Sequence, residues 1–338
     1  MIRVEEIRSI LASDNRESFE KLAEEAATLT RRHFGRAKSL FAPLYLANYC
    51  DNGCLYCGFS QDRPIDRMCL EPAEIDAEME SLSGTGIRHV LLLTGESRSM
   101  TPVGYIRDAV ERAHRRFATV SLEIYPLEEP EYGEMIEAGA DGVTLYQETY
   151  NRTRYAELHP YGRKADYEYR RQAPERMARA GMHRITLGVL LGLAPIAEDA
   201  AELFLHLESL QRQYPGIDLS ASFPRLIPLP DNPIQGEPVS DIQLIKLICL
   251  ARILFPTIGI TLSTRERPLI RDKALHLGVT RISAASRTTV GGYASRDCHD
   301  GQFSVQDERS LTEVITMLKA NGMDPVLTDW HSLPADGQ

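Results

Sequence analysis

The chain alternates, and that alternation restricts the folds open to it more than any other feature. Short runs rich in apolar and β-branched residues occur at 40–48, 88–94, 119–125, 141–147, 184–191, 217–223, 258–263 and 279–284. Amphipathic stretches separate them at 72–84, 103–116, 130–138, 167–180, 198–213, 240–254 and 268–277, and a last one falls near 307–320. Regular βα repetition demands right-handed crossovers and a parallel sheet. Eight such units in 338 residues fit an α/β chain folded as a (β/α)8 TIM barrel, which typically takes about 250 residues. The rival is an open doubly wound sheet with a second domain. No Pro/Gly/Ser-rich linker, charge block or internal repeat divides the chain, so one domain is expected. Phe19, Leu22, Ala23, Ala26, Ala27 and Leu29 recur at helical spacing with Gly35 as a stop. The expected division is therefore an N-terminal helical extension over 1–36, the barrel over 37–322 and a short C-terminal tail over 323–338.

Charge removes whole classes of function. Lys and Arg number 38 against 48 Asp and Glu, a formal net charge of −10, whereas binding to a phosphate backbone wants a basic face. No nucleic-acid partner is expected. The longest uncharged stretch, Ile185 to Ala197, is broken by Gly and Pro and falls short of the ~20 apolar residues of a membrane span. Acidic residues stand where a signal peptide would need an apolar core, so a cytoplasmic location is expected. In that reducing compartment the six cysteines read as ligands or buried thiols rather than disulfides.

Most of the strand-like runs finish in polar or Gly residues: Thr94-Gly95-Glu96, Glu123, Gln147-Glu148, Ser222, Ser263-Thr264-Arg265 and Ser283. In such barrels the C-terminal strand ends build the site, and these residues would converge on one mouth. Directly after the first strand comes Cys50-Asp-Asn-Gly-Cys54-Leu-Tyr-Cys57, three thiols in one tight loop. Structural zinc takes four ligands, so a zinc site would need Cys69 or a distant residue. A [4Fe–4S] cube held by three cysteines leaves one iron open for chemistry. Three buried free thiols are the remaining alternative. Cys69, Cys249 and Cys298 read as packing residues, and His89, His183 and His276 as packing or surface residues.

The C-x-x-x-C-x-x-C spacing, with Tyr56 just before its last cysteine, resembles the radical S-adenosylmethionine (SAM) superfamily. From about Leu22 onward the resemblance narrows to the tyrosine lyases of thiamine biosynthesis, the 2-iminoacetate synthases. It rests on Pro43-Leu-Tyr-Leu-Ala-Asn-Tyr-Cys50, Cys57-Gly-Phe-Ser60, Leu93-Thr-Gly-Glu96, Tyr146-Gln-Glu-Thr-Tyr150, Ser222-Phe-Pro-Arg-Leu226, Leu262-Ser-Thr-Arg-Glu266 and Gly291-Gly-Tyr-Ala294. Hydrogenase maturases that make CO and cyanide from tyrosine, and a tryptophan lyase, share much of this pattern.

The resemblance implies a [4Fe–4S] cluster on Cys50, Cys54 and Cys57, with SAM chelated to the open iron. It makes Tyr56 a cofactor-binding residue and places Gly95 and Glu96 near the SAM amino group, Glu123 on the ribose, Arg170 on the carboxylate and Leu191 within an apolar shelf for adenine. For the amino acid, Arg265 is the expected carboxylate anchor, aided by Ser263, Ser283 and Gln147; a stabilising ion pair of Arg265 with Glu266 is the competing reading. The implied reaction cleaves L-tyrosine to p-cresol and dehydroglycine, with a flavodoxin- or ferredoxin-type electron donor and a thiazole synthase as partners. Only Cys298 follows residue 290, so a second cluster, and CO or cyanide production, is not expected. Lyases of other aromatic amino acids, and a zinc-stabilised barrel serving as a binding module, are the alternatives.

Overall fold

A computed structural model describes residues 3–229, 234, 236–294 and 301–328. Two helices, α1 (Val4–Ala12) and α2 (Arg16–Phe34), precede β1 (Ala37–Ala47). There follow α3 (Pro72–Gly84), β2 (His89–Thr94), α4 (Val103–His114), β3 (Thr119–Glu123), α5 (Glu129–Glu137) and β4 (Gly142–Glu148). Next come α6 (Arg152–Leu158), α7 (Tyr167–Arg171), α8 (Ala173–Arg179), β5 (Arg184–Val189), α9 (Ile196–Gln213) and β6 (Asp218–Ser222). The remainder is α10 (Asp241–Leu254), β7 (Gly259–Leu262), α11 (Pro268–Ala274), β8 (Arg281–Ser283), α12 (Leu311–Ala320) and β9 (Asp324–Val326).

Strands β1 to β8 pair in sequence order, all parallel, and β8 returns to β1 to close the barrel. Because helices cover the outer face and side chains fill much of the inner one, the strands are buried on both sides. All six residues of β5 are buried, as are five of the six in β2. Local chemistry sets the helix starts. Asn15, Asn151, Asp166, Ser240 and Ser310 accept from backbone N–H groups in the first turns of α2, α6, α7, α10 and α12. Proline occupies one of the first two positions of α3, α5, α8 and α11.

The eight strands expected from the sequence are all present. Residues 324–326, expected in a tail, instead form a ninth strand beside residues 37–39 of β1, backed by an Arg36–Asp324 ion pair at 2.9 Å. The N-terminal extension is two helices: α2 lies along α10, and α1 along α9. Buried Lys246 on α10 holds the turn between them through the carbonyls of Leu11 and Ser13. At the opposite end of the chain, residues 284–294 and 301–310 return across the mouth. Glu78 receives the backbone N–H groups of Tyr293 and Ala294, and the Tyr293 hydroxyl donates to Pro43 O at 2.8 Å. Among the described residues no helix is long and apolar enough to cross a membrane.

Candidate functional site

The cysteine loop is shaped by one cation. Arg67 donates to the carbonyls of Asn48, Phe59 and Ser60, at 2.7, 2.9 and 2.5 Å, pulling the loop around its guanidinium. Its fork geometry suits that task. Gly95 lets the end of β2 lie against this loop, since any side chain there would run into the Tyr49 carbonyl. Cys54 is buried, while Cys50 and Cys57 are partly exposed. Burial pushes all three thiols up, Cys50 to about 11, so as bare groups they are protonated at neutral pH.

Donors already point at two of the sulfurs. Asn52 Nδ2 lies 3.6 Å from Cys50 Sγ, and Phe59 N lies 3.4 Å from Cys57 Sγ. Such hydrogen bonds tune thiolates that ligate iron. Among the described residues no three His, Cys, Asp or Glu side chains converge on a point that would hold a single ion. A cubane presents its corners further apart than the ligands of one ion, and one short loop of three thiols fits it. Cys69 stands apart, its thiol directed at Met100 O, so it is not the fourth ligand a zinc site would need. Cys249 is fully buried in the core, as expected of a packing residue; Cys298 lies outside the described residues.

Beside the loop sit two acids and two bases, Glu148 and Arg170 buried, Glu96 and Lys164 partly so. Arg170 Nη1 donates to Glu96 Oε1 at 2.9 Å, and its Nε to the Tyr146 carbonyl at 2.7 Å. Lys164 Nζ donates to Glu148 Oε1 at 2.6 Å and lies 3.8 Å from Glu96. Asn52 joins loop and charges, giving its amide to Glu96 and accepting from Lys164 N. Burial pushes the carboxyls of Glu96 and Glu148 up, but Arg170 and Lys164 outweigh it and hold both below the ordinary range. All four are therefore ionised and sum to zero. Arg170 is 5% exposed, not a solvated neighbour of Arg171.

Lys164 carries no expectation from the sequence, and Glu148 only its place among the polar strand ends. Glu148 follows a bulge at which β4 slips one residue against β5, and its φ is 72°. That left-handed backbone is strained for a residue with a side chain; the ionic contact with Lys164 accompanies it. Strand alternation corrects the expectation for Gln147. Thr144, Tyr146 and Glu148 line the central cavity and Gln147 does not, its buried Nε2 having no hydrogen-bond partner among the described residues.

That cavity runs down the barrel lumen. Tyr56, Cys57, Glu123, Ser263, Arg265 and Ser283 all line it. The Tyr56 hydroxyl meets His159 Nε2 at 2.8 Å, while His159 Nδ1 faces the Tyr155 carbonyl at 2.7 Å. The carbonyl assigns the proton to Nδ1, so Nε2 accepts from Tyr56. Burial, reinforced by Lys164, lowers His159 to about 3 and keeps it neutral. Burial raises Glu123 to about 7, with Arg265 acting against it.

Arg265 packs over Phe303, its Cζ 3.6 Å from the ring centre. It forms no ion pair with a described residue. Glu266 is instead held by Arg225, which removes the stabilising Arg265–Glu266 pair as the reason for Arg265. Ser263 Oγ accepts from Arg265 N and Ser283 Oγ from Thr264 N, at 3.3 and 3.0 Å. Leu191 departs from its expected place: its N–H and carbonyl pair with Pro224 and Leu226 at 2.8 Å each, and it faces a neighbouring groove. Leu190 lines the cavity in its stead. His89 is buried against Thr119, and His276 is exposed beside Asn321.

Comparison with known proteins agrees with this geometry. Residues 44–207 match the Radical SAM superfamily, and residues 222–324 the Biotin and Thiamin Synthesis associated domain. The chain is 40% identical to the 2-iminoacetate synthase of Escherichia coli K12 over 93% of its length and 83% of that protein. It is 37% identical to the 2-iminoacetate synthase of Salmonella typhimurium LT2, over 97% of this chain and 87% of that one. The crystal structure of the [FeFe]-hydrogenase maturase HydG from Carboxydothermus hydrogenoformans superposes with a TM-score of 0.91 at 30% identity, covering 97% of this chain and 77% of that one. Three thiols on the loop after β1, a net-neutral cluster of buried charges beside them and the identity along nearly the whole chain lead to one assignment: the chain belongs to the 2-iminoacetate synthase family of radical SAM enzymes, which use a [4Fe–4S] cluster and SAM.

Proposed function

We propose that this chain cleaves the Cα–Cβ bond of L-tyrosine, yielding 2-iminoacetate and p-cresol for the thiazole of thiamine. One observation carries the reading: a single cavity joins the cysteine loop, through Tyr56 and Cys57, to Arg265, a cation with no ion pair among the described residues. When bound, the cluster and SAM supply a 5′-deoxyadenosyl radical that takes a hydrogen atom.

Cys50, Cys54 and Cys57 would hold the cluster. The four-charge group beside them suits the zwitterionic end of SAM, because an ammonium and a carboxylate can exchange into Glu96–Arg170 and Glu148–Lys164 without changing the net charge. Glu123 would accept from the ribose hydroxyls, and Leu190 would take the adenine contact first expected of Leu191. Arg265 would bind the tyrosine carboxylate, with Ser263 and Ser283 fixing the strand ends that carry it. Orientation then decides which bond breaks. Residues 301–303 close over the cavity, Gln302 accepting from the Tyr45 hydroxyl at 2.8 Å, and restrict access of water and competing hydrogen donors.

Residues 37–322 form the catalytic unit in this reading, with 1–36 and 323–338 as extensions. A flavodoxin- or ferredoxin-type protein would supply the electron, a thiazole synthase would consume the product, and the cytoplasm would be the compartment. The test is anaerobic incubation of reconstituted protein with SAM, reductant and a panel of aromatic amino acids. Release of p-cresol from tyrosine is expected. Formation of 5′-deoxyadenosine without p-cresol, or cleavage of tryptophan in preference, would overturn tyrosine as substrate.

A further inference from the structure

The interior layers of such barrels are ordinarily filled by bulky branched side chains. One layer here is not. Below Ser263 and Ser283 the cavity wall carries Ser121 on β3, Thr144 on β4, Thr186 on β5 and Thr261 on β7. Thr144 stands directly opposite Thr186 in the β4–β5 register. None of the four hydroxyls hydrogen-bonds to another described residue, and none is sealed off: Ser121 and Thr186 are buried, Thr144 and Thr261 half-buried, and all four oxygens are open to the cavity. Elsewhere in the lumen polar side chains do pair with one another: His89 Nδ1 meets Thr119 at 2.5 Å, and the Tyr146 hydroxyl meets Ser222 at 3.0 Å.

Hydroxyls that no protein group satisfies are left to whatever occupies the cavity, so four facing one space make it a place for water or for a polar ligand. Its chemistry follows from the walls. Phe41, Leu91 and Leu93 give the same cavity an apolar flank, which suits a flat body. The hydroxyls can each donate and accept, which suits one uncharged group able to do both. Ser263 and Thr261 are two residues apart on the same chain, roughly 6.6 Å of extended strand, comparable to the distance from a tyrosine Cα to its phenol oxygen.

We infer that this hydroxyl layer, with Thr144 and Thr186 at its centre, receives the phenol of the amino-acid substrate and selects tyrosine over phenylalanine. The inference rests on the tyrosine reading and goes beyond it, because it places specificity in the barrel floor rather than at the carboxylate anchor. The phenol stays protonated there, donating to one threonine and accepting from the other.

The test uses the reconstituted holoenzyme with SAM and measures dissociation constants for tyrosine and phenylalanine, together with KM and kcat for p-cresol release. Replacing both threonines (Thr144→Val with Thr186→Val) keeps the shape and removes the hydroxyls. Tyrosine affinity should fall about tenfold, the scale of one to two net hydrogen bonds. Phenylalanine affinity should hold or improve, so the preference collapses, and the loss should appear in KM before kcat. Thr144→Ser with Thr186→Ser should restore the preference, which a purely structural role would not require. Iron–sulfur absorbance reports that each variant is assembled; should the double valine variant not fold, Ser121→Ala and Thr261→Val serve in the same comparison. An unchanged tyrosine-to-phenylalanine ratio in assembled variants of an enzyme that makes p-cresol overturns this inference alone, the hydroxyls then holding only water. A wild-type enzyme that neither binds nor cleaves tyrosine overturns the tyrosine reading and this inference with it.

Discussion

Two walls of the site treat charge in opposite ways. Around the ends of β2 and β4, Glu96, Glu148, Lys164 and Arg170 neutralise one another at 2.6 to 3.9 Å. At the end of β7, Arg265 rests on Phe303 with no ion pair to a described residue. The first wall is complete by itself and can accept a zwitterion only by exchanging partners. The second carries a cation seated on an aromatic ring and felt by Glu123 only at longer range, and a carboxylate that arrives there gains a direct ion pair that the free protein lacks. Pre-paired charge serves stability first and binding second; unpaired charge serves binding.

The sharpest way to break this comparison is to remove what the first wall borders. Cys54→Ala should abolish the iron–sulfur absorption and p-cresol release altogether, read by visible spectroscopy and product analysis; retention of the full cluster signal would show that the loop is not its holder. Unbalancing the first wall comes next. Lys164→Met leaves a buried carboxylate uncompensated and should cost about 3–5 kcal/mol in urea unfolding of the cofactor-free chain. Arg265→Met should behave oppositely, changing stability by less than about 1 kcal/mol while raising KM for tyrosine by more than about tenfold. Equal destabilisation by the two substitutions would erase the distinction.

Glu123 lies between the walls and sharpens the contrast through pH. Its carboxyl is raised by burial from an ordinary value of 4.5 to about 7, against the pull of Arg265. Between those values the unfolded chain has released a proton that the folded chain keeps, so stability falls as pH rises through that window and then levels off. Glu123→Gln should therefore match the wild type near pH 4 and exceed it near pH 8, by on the order of 1–2 kcal/mol. Thermal unfolding across pH measures this, and identical curves would contradict it. The smallest effect belongs to Phe303→Ala. Removing the ring beneath Arg265 should raise KM about threefold, consistent with a cation–π contact of about 0.5–1 kcal/mol, with kcat little changed.

Much of the frame was legible because periodicity reports burial. All eight barrel strands and the helices at 72–84 and 241–254 lie where apolar spacing puts them. The three-residue β9 was hidden because Asp324-Pro325-Val326 is too short to show a period and carries a proline, here tolerated in a short edge strand. At the site, the cysteines, Glu96, Arg170 and Arg265 could be read from motif and position. Lys164 could not, since it enters from an irregular segment after α6 and reaches Glu148 only through tertiary packing. Gln147 was open to exclusion from sequence: period-2 alternation from Thr144 and Tyr146 puts Glu148, not Gln147, on the lumen side, whereas the bulge that shifts β4 against β5 there is announced by no local composition.

The clasp between residues 37–39 and 324–326 bears on how the molecule is made. The strand that leads into the iron-binding loop draws partners from β2, from β8 and from the far end of the chain. Long-range closures of this kind come late and slowly, after the entropy of a very large loop has been overcome. A ribosome must therefore release nearly all of the polypeptide before Cys50, Cys54 and Cys57 have a finished frame, and metal loading belongs after synthesis rather than during it.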